Sequence, residues 1–287
     1  MCTLRILVLG ASGMLGSTLL RYLSSQSDVK VYGTARSVHS IGNLPEGLQA
    51  HASLNVDVEN ADHLLKVFAN VRPDVVINCV GIVKQLSEAD DLLTATPINS
   101  LLPHRLAKLC AASGARLIHF STDCVFSGTK GFYSESDTPD AVDLYGRSKL
   151  LGEVDYPNTL TLRTSLIGHE LTGNRSLVSW FLSQSGRVKG FRRAIFSGLP
   201  TVEIARVVHE HVLPNSDLCG LYHLSVDPIS KFDLLSLIAG VYGKSIEIIP
   251  DDDLVIDRSL DSSRFRTATG FSAKPWPELV QAMHDFG

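Results

Sequence analysis

Short apolar runs alternate with longer amphipathic segments through the first 167 residues of this 287-residue chain. The predicted strands are Leu4–Leu9, Val29–Thr34, Ala52–Val56, Asp74–Asn78, Arg116–Ser121 and Thr159–Arg163. The predicted helices between them are Met14–Ser24, Ala61–Ala69, Ile98–Ser113 and Leu144–Asp155. Strands that alternate with helices pair in parallel, because each helix carries the chain back across the sheet. The pattern predicts an α/β fold, a Rossmann-like doubly wound parallel sheet with helices on both faces.

The alternation weakens after Gly168, where Gly, Ser and Arg become more frequent. Further short strands and helices are predicted at Leu177–Gln184, Val202–His211, Gly220–Leu224, Lys231–Val241 and Ile246–Ile249. We therefore expect a first domain over residues 1–167 and a smaller C-terminal α+β region over residues 168–287. The chain can cross back from the second region to the first.

Composition excludes several classes of protein. The net charge is −4 and the basic residues are scattered, whereas nucleic-acid binders usually carry a basic patch. The five cysteines are odd in number and form no CxxC pair, so neither a disulfide framework nor a metal site is predicted. No apolar run approaches the ~20 residues that span a bilayer, and none has the form of a signal peptide. A cytoplasmic protein without nucleic-acid or membrane partners is expected.

A glycine-rich turn, Gly10-Ala11-Ser12-Gly13-Met14-Leu15-Gly16, joins the first predicted strand to the first helix. Glycine permits positive φ and close approach of a pyrophosphate, and the helix N-terminus offers free N–H groups. The spacing is GxxGxxG, and glycines alone are weak support because they also serve ordinary turns. The strand–turn–helix context favours dinucleotide binding. The residues assigned to this turn are Gly10, Ser12, Gly13, Met14, Leu15 and Gly16.

The second strand bears on which dinucleotide binds. It is followed by Ala35, Arg36 and Ser37, without the acidic residue that holds the ribose hydroxyls of NAD. The guanidinium of Arg36 suits a 2′-phosphate, so the sequence favours NADP over NAD, although a solvated surface arginine fits equally. Asp57 and Val58, after the third strand, are also assigned to the cofactor. Asp57 is placed either to reach an adenine amino group or to cap its own loop.

Tyr145 and Lys149 lie four residues apart and so share one face of a predicted helix. A free tyrosine has a pKa of about 10, and a neighbouring ammonium lowers it toward the range useful for proton transfer. Ser121 and Thr122 end the fifth strand, at the sheet edge where ligands of open α/β sheets gather. A Tyr and a Lys on an exposed helix are common. Together with the glycine turn and the strand-end hydroxyls, however, this pair predicts carbonyl reduction.

These residues belong to longer stretches that resemble extended short-chain dehydrogenases/reductases, and within them the dTDP-4-dehydrorhamnose reductase group of sugar-nucleotide reductases. The matching stretches are GASGMLG (10–16), STDCVFSG (121–128), YSESD (133–137), YGRSKLLGE (145–153), LRTSLIG (162–168) and RSLDSSRF (258–265), with Asn99. They follow the family's order over nearly the whole chain.

The resemblance implies roles for individual residues. The catalytic residues are Thr122, Tyr145 and Lys149. Cys79, Val80, Gly81 and Asn99 join the cofactor site, to which Tyr145 and Lys149 also contribute. Substrate binding falls to Ser121, Asp123, Arg163, Arg192, Arg193 and Arg258, the last three as phosphate contacts. Trp180 and Phe196 either pack against a base or sugar or belong to the core.

The implied reaction is NAD(P)H-dependent reduction of the C4 ketone of a nucleotide-linked 4-keto-6-deoxy sugar, in surface-polysaccharide precursor synthesis. Related 4,6-dehydratases carry glutamate where Cys124 stands, and a thiol does not replace that acid/base, so ketone reduction is favoured over dehydration. The reductases usually have tyrosine there, which leaves the sugar open. Two alternatives remain: an epimerase that retains NAD, and a non-enzymatic regulatory subunit like that of methionine adenosyltransferase. A homodimer is possible.

Overall fold

The computed structural model describes residues 3–84 and 87–287, and strands from these ranges form a seven-stranded sheet. The strands are β1 (Leu4–Leu9), β2 (Val29–Thr34), β3 (Ala52–Ser53), β4 (Val75–Asn78), β5 (Arg116–Thr122), β6 (Thr159–Thr164) and β11 (Gly220–His223). Their order is β11-β6-β5-β4-β1-β2-β3, and the pairs from β3 to β5 are parallel. The strand order reverses at β1, which lies between β2 and β4, as in doubly wound sheets. The predicted Rossmann-like α/β fold is confirmed.

The helices that accompany these strands are α1 (Met14–Ser24), α2 (Glu46–Gln49), α3 (Ala61–Val71), α4 (Leu92–Ala95), α5 (Leu102–Ser113) and α6 (Leu144–Leu151). Among the helices predicted in the first 167 residues, two differ markedly from the observed ones. The segment predicted as one helix from Ile98 begins instead with a π-helical turn, Thr96–Leu101, before α5. The helix predicted to reach Asp155 ends at Leu151, with Gly152 as its C-cap.

Later segments form smaller sheets and the remaining helices. The strands are β7 (Leu166–Ile167), β8 (Arg187–Phe191), β9 (Ala194–Phe196), β10 (Leu199–Pro200), β12 (Ile229–Ser230), β13 (Glu247–Asp251) and β14 (Ile256–Asp257). The helices are α7 (Leu177–Ser183), α8 (Thr201–Val207), α9 (Lys231–Val241), α10 (Ser263–Thr269) and α11 (Trp276–Phe286). Pairing joins β8 to β13, β7 to β10, and β9 to both β12 and β14. Strands of two or three residues carry no periodicity, so the sequence did not predict most of them.

The chain divides into two compact units. The first contains the residues up to Ser121 together with Asp143–Leu162 and Ser216–Leu221. The second contains Thr122–Val142, Arg163–Asn215 and Tyr222–Gly287. The chain passes between these units several times, and the boundary expected after residue 167, with the chain able to cross back, stays a prediction.

One face of the central sheet supports the core of the first unit. Leu7 and Leu9 of β1 and Val76 of β4 belong to a cluster of buried apolar residues with Phe68 of α3 and Leu106 of α5. Helices that cover a parallel sheet in this way leave the carboxyl ends of its strands open for a ligand. No helix in the described part of the chain is long and apolar enough to cross a membrane.

Candidate cofactor and catalytic site

The turn between β1 and α1 has a backbone that only glycine accommodates well. Gly10 has φ +80°, in the left-handed region, and its N–H donates to Thr34 Oγ1 at 3.3 Å. A Cβ at Gly16 would lie 2.1 Å from the Gly10 carbonyl oxygen, so the first turn of α1 approaches the preceding turn very closely. Gly13, the N-cap of α1, contributes no side chain. No side-chain cap from Gly13 occupies the first N–H groups of α1, which leaves them available to an anion.

A cavity of about 300 Å³ adjoins this turn, and its walls come from the carboxyl ends of β1, β2 and β4. The predicted cofactor residues that line it are Gly10, Ser12, Gly13, Arg36, Asp57, Val58, Cys79, Val80 and Gly81. The lining residues that the sequence analysis missed are Thr34, Ala35, Val56, Glu59, Ile82, Thr94 and Ile98. Thr94 and Ile98 reach the cavity from α4 and the π-helical turn, where the sequence has no motif to mark them.

Three predicted cofactor residues lie in the first turn of α1 and are absent from the described lining of this cavity: Met14, Leu15 and Gly16. Leu15 is buried, and the Met14 carbonyl accepts a hydrogen bond from Thr18 Oγ1 at 2.9 Å. These residues therefore help to form the turn itself. Their direct contact with a cofactor stays a prediction.

Tyr145 and Lys149 both lie on α6, whose N-cap Asp143 accepts a hydrogen bond from Gly146 N at 2.7 Å. Tyr145 is half-buried, whereas Lys149 is only 5% exposed. The Lys149 Nζ donates to the carbonyl oxygen of Phe120 in β5 at 2.8 Å. Burial lowers the pKa of Lys149 to about 8, against the opposing effect of the Glu153 carboxylate. Lys149 thus titrates close to the physiological range.

Asn99, in the π-helical turn, connects the cavity rim to α6. Its Oδ1 accepts from Ile82 N at 2.9 Å, and its Nδ2 donates to Ile82 O and to Ser148 Oγ, both at 3.1 Å. A Cβ at Gly152 would lie 1.9 Å from the Asn99 carbonyl oxygen, so α6 packs directly against this turn. Asn99 is 1% exposed. These contacts hold Asn99 between Ile82 and α6, and its predicted contact with a cofactor stays a prediction.

Thr122 and Asp123 follow in the second unit. Thr122 Oγ1 donates to Asp123 Oδ1 and accepts from Cys124 N, each at 3.1 Å. Burial raises the pKa of Asp123, while the positive charge of Arg258 opposes that shift. Arg258 Nε donates to Phe126 O at 2.7 Å, and its Nη1 lies 3.8 Å from Cys124 Sγ.

Asp123 and Arg258 line a second cavity, of about 320 Å³, that lies wholly within the second unit. Trp180 and Phe196 also line it, so both aromatic residues singled out from the sequence lie at its wall. Lys231, the first residue of α9, is a lining cation that the sequence analysis missed. Its Nζ lies 4.9 Å from the centre of the Phe196 ring, a contact between segments distant in the chain.

The other arginines predicted to bind substrate are not among the described lining residues of the second cavity. Arg163 is buried, with Nη1 3.3 Å from His223 Nε2, and its guanidinium lies 5.2 Å from the centre of the Phe126 ring. The Arg192 guanidinium pairs with Asp252, and Arg193 is exposed. Neither Arg192 nor Arg193 is among the described residues of the second cavity. Their role as phosphate contacts stays a prediction.

The doubly wound sheet, the glycine turn at β1 and the Tyr–Lys pair on α6 define a protein of the short-chain dehydrogenase/reductase class. Within it, the chain belongs to the family described as the RmlD substrate binding domain, whose model matches residues 4–285. The family resemblance noted from the sequence motifs is thereby confirmed.

Individual relatives differ in their described functions. A probable low-salt glycan biosynthesis reductase of Haloferax volcanii is 34% identical over 165 residues, which are 56% of this chain and 52% of that protein. The methionine adenosyltransferase 2 subunit beta of Rattus norvegicus is 31% identical over 156 residues, 52% of this chain and 41% of that protein. This chain spans about half the length of these curated relatives. The dTDP-4-dehydrorhamnose reductase of Bacillus anthracis, solved in complex with NADP, has a TM-score of 0.79 at 22% identity and covers 98% of each chain, a likeness of fold.

Proposed function

We propose that this chain is an NAD(P)H-dependent reductase of the C4 ketone of a nucleotide-linked 4-keto-6-deoxy sugar, acting in the synthesis of surface-polysaccharide precursors. The observation that carries the proposal is the buried Lys149, four residues after Tyr145 on α6 and hydrogen-bonded to β5. A buried ammonium with a lowered pKa beside a tyrosine is an arrangement suited to acid catalysis. The family and the relatives named as reductases support the same reaction.

The residues that line the first cavity suit a dinucleotide. A Cβ at Gly10 would lie 3.0 Å from Val80 Cγ2 and would narrow the space beside the turn. Gly10, Ser12 and Gly13 would hold the pyrophosphate at the N-terminus of α1. Arg36 would face the 2′-phosphate of NADP, and Asp57 the adenine. When bound, the cofactor supplies the hydride that reduces the carbonyl carbon.

The residues of the chain control the proton. Tyr145 donates its phenolic proton to the oxygen that becomes an alkoxide as the ketone is reduced. The Lys149 ammonium stabilises the resulting phenolate. Thr122 hydrogen-bonds a substrate oxygen. In the second cavity, Arg258 provides a positive charge that suits the diphosphate of a nucleotide sugar.

Arg36 provides a test of cofactor preference. Its side chain is exposed and lines the first cavity. We expect Arg36→Leu to weaken NADPH affinity by about tenfold or more, since a charge-assisted hydrogen bond contributes roughly 1.5–3 kcal/mol, and to leave NADH affinity nearly unchanged. Titration of each cofactor by fluorescence measures both effects. Equal losses for NADPH and NADH would remove Arg36 from 2′-phosphate recognition.

The decisive experiment for the proposed reaction follows NADPH and NADH absorbance with a panel of 4-keto nucleotide sugars. Stoichiometric oxidation with at least one of them is the expected result. An epimerase would instead convert its sugar without net oxidation and would carry tightly bound NAD after purification.

The likeness to methionine adenosyltransferase 2 subunit beta supports one alternative, a regulatory subunit that binds a dinucleotide without turning it over. Binding of NADPH without oxidation by any sugar in the panel would favour that function. Co-purification of a methionine adenosyltransferase would then be the result to seek.

A further inference from the structure

The Lys149 side chain is almost completely removed from solvent. It is 5% exposed, and Nζ donates to a neutral acceptor, the Phe120 carbonyl. Burying an ammonium is strongly unfavourable unless a counter-charge offsets the loss of hydration. Lys149 Nζ lies near Phe120 of β5 and near Gly81 after β4. The titratable groups that interact electrostatically with Lys149 are Cys79 after β4, His119 in β5 and Glu153 after α6.

Of these groups, only Glu153 can be the counter-charge. Burial raises the pKa of the Cys79 thiol, so Cys79 is neutral at physiological pH. Burial, with the Lys149 ammonium nearby, holds the pKa of His119 well below its usual value, so His119 is neutral as well. The Glu153 carboxylate acts in the opposite direction and raises the pKa of Lys149. Within the described residues, Glu153 is thus the anion that favours the charged form of Lys149.

Glu153 is itself held by β5. Ser121 Oγ donates to Glu153 Oε1 at 2.7 Å, and Ser121 is 6% exposed. Ser121 immediately follows Phe120, so adjacent residues of one strand bind Lys149 through a carbonyl and Glu153 through a hydroxyl. The close packing of Gly152 on Asn99 fixes the chain just before Glu153.

We propose that Glu153 is a positioning residue that keeps Lys149 protonated, and that Ser121 orients the Glu153 carboxylate for this purpose. The proposal rests on the proposed function in that it takes Lys149 to assist Tyr145. It gives Ser121, which the sequence assigned to the substrate, a role inside the protein. Without the carboxylate, Lys149 would lose its proton at lower pH and would no longer stabilise the Tyr145 phenolate.

The pKa of Lys149 can be measured without substrate or cofactor. We propose nuclear magnetic resonance titration of the full chain labelled with carbon-13 at lysine Cε, with the Lys149 signal assigned by its loss in Lys149→Met. In the wild type, this signal is expected to titrate near pH 8. In Glu153→Gln, removal of the negative charge destabilises the ammonium, so the midpoint should fall by about one pH unit or more. An unchanged midpoint would overturn the proposal.

Three further variants separate charge from structure. Glu153→Asp keeps the charge, so the midpoint of the Lys149 titration should stay close to the wild-type value. Ser121→Ala keeps the charge but removes one hydrogen bond to the carboxylate, so a smaller fall than in Glu153→Gln is expected. Asp155→Asn removes the same charge from an exposed site two residues away and should leave the midpoint unchanged. A fall in Asp155→Asn as large as in Glu153→Gln would show a general field effect and would also overturn the proposal.

Activity gives a second readout. With a sugar that the enzyme reduces, kcat is measured as a function of pH. The alkaline limb of this profile should shift to lower pH in Glu153→Gln, with little change in KM. Circular dichroism melting shows whether each variant is folded. If no sugar is reduced, the proposed reaction fails while the Lys149 titration still decides the role of Glu153.

Discussion

Replacing Tyr145 by phenylalanine is expected to lower kcat by about 10²–10⁴-fold, the usual contribution of a general acid. The ring keeps its place on α6, so the fold and the NADPH affinity should be nearly unchanged. Only the proton that the phenol delivers to the developing alkoxide is lost. Stopped-flow or steady-state absorbance of NADPH measures the rate, and fluorescence titration measures the affinity.

Tyr156→Phe is the matched control for that experiment. Tyr156→Phe also removes a phenolic hydroxyl from the first unit. The Tyr156 Oη, however, lies 3.0 Å from His104 Nδ1, and Tyr156 is not on α6 with Lys149. Its activity should stay close to that of the wild type. Full activity in Tyr145→Phe would remove the phenol from the mechanism and leave proton delivery to another group.

The second large effect concerns Gly16. In Gly16→Ala, the new Cβ would lie 2.1 Å from the Gly10 oxygen and 2.8 Å from the Gly10 carbonyl carbon. Both atoms belong to the backbone of the turn and cannot rotate away. We expect the free energy of unfolding to fall by about 3 kcal/mol, at the upper end of typical overpacking costs, and NADPH affinity to fall with it because the turn is displaced.

Gly13→Ala provides the comparison within the same turn. A Cβ there meets nothing closer than the Gly10 oxygen at 3.5 Å, an ordinary contact, and Gly13 has φ −78°. The free energy of unfolding of Gly13→Ala should change little, although residue 13 lines the first cavity. Urea unfolding and NADPH titration of both variants check these expectations. Similar stability in the two variants would contradict the close packing at Gly16.

Local signals made much of the fold predictable. The alternation of strands and helices and the glycine turn each depend on residues adjacent in sequence, and they led to the doubly wound sheet. The same applies to Arg36, which lies two residues after the end of β2 and lines the first cavity. Tyr145 and Lys149 were found because a helix brings residues four apart to one face.

Long-range contacts were not predictable in this way. Glu153 accepts a hydrogen bond from Ser121, which lies in a strand 32 residues earlier in the chain. The helical pattern of the sequence, moreover, placed Glu153 inside the helix rather than beyond its end. Lys231 lines the second cavity because α9 begins near Phe196, and nothing in its local sequence marks it. The pairing of Arg192 with Asp252 is likewise a contact between residues far apart in the chain, and the phosphate contacts of Arg192 and Arg193 stay predictions.

The bonds of Asn99 also bear on how this sequence can diverge. Asn99 binds the backbone of residue 82, so the isoleucine side chain there is free to change without breaking those bonds. Its third bond uses the hydroxyl of Ser148, a side-chain atom. Positions 99 and 148 should therefore covary among descendants of a common ancestor, whereas these bonds place no demand on the side chain at position 82. Gly152 joins the constrained pair, because any larger residue would collide with the main chain of Asn99.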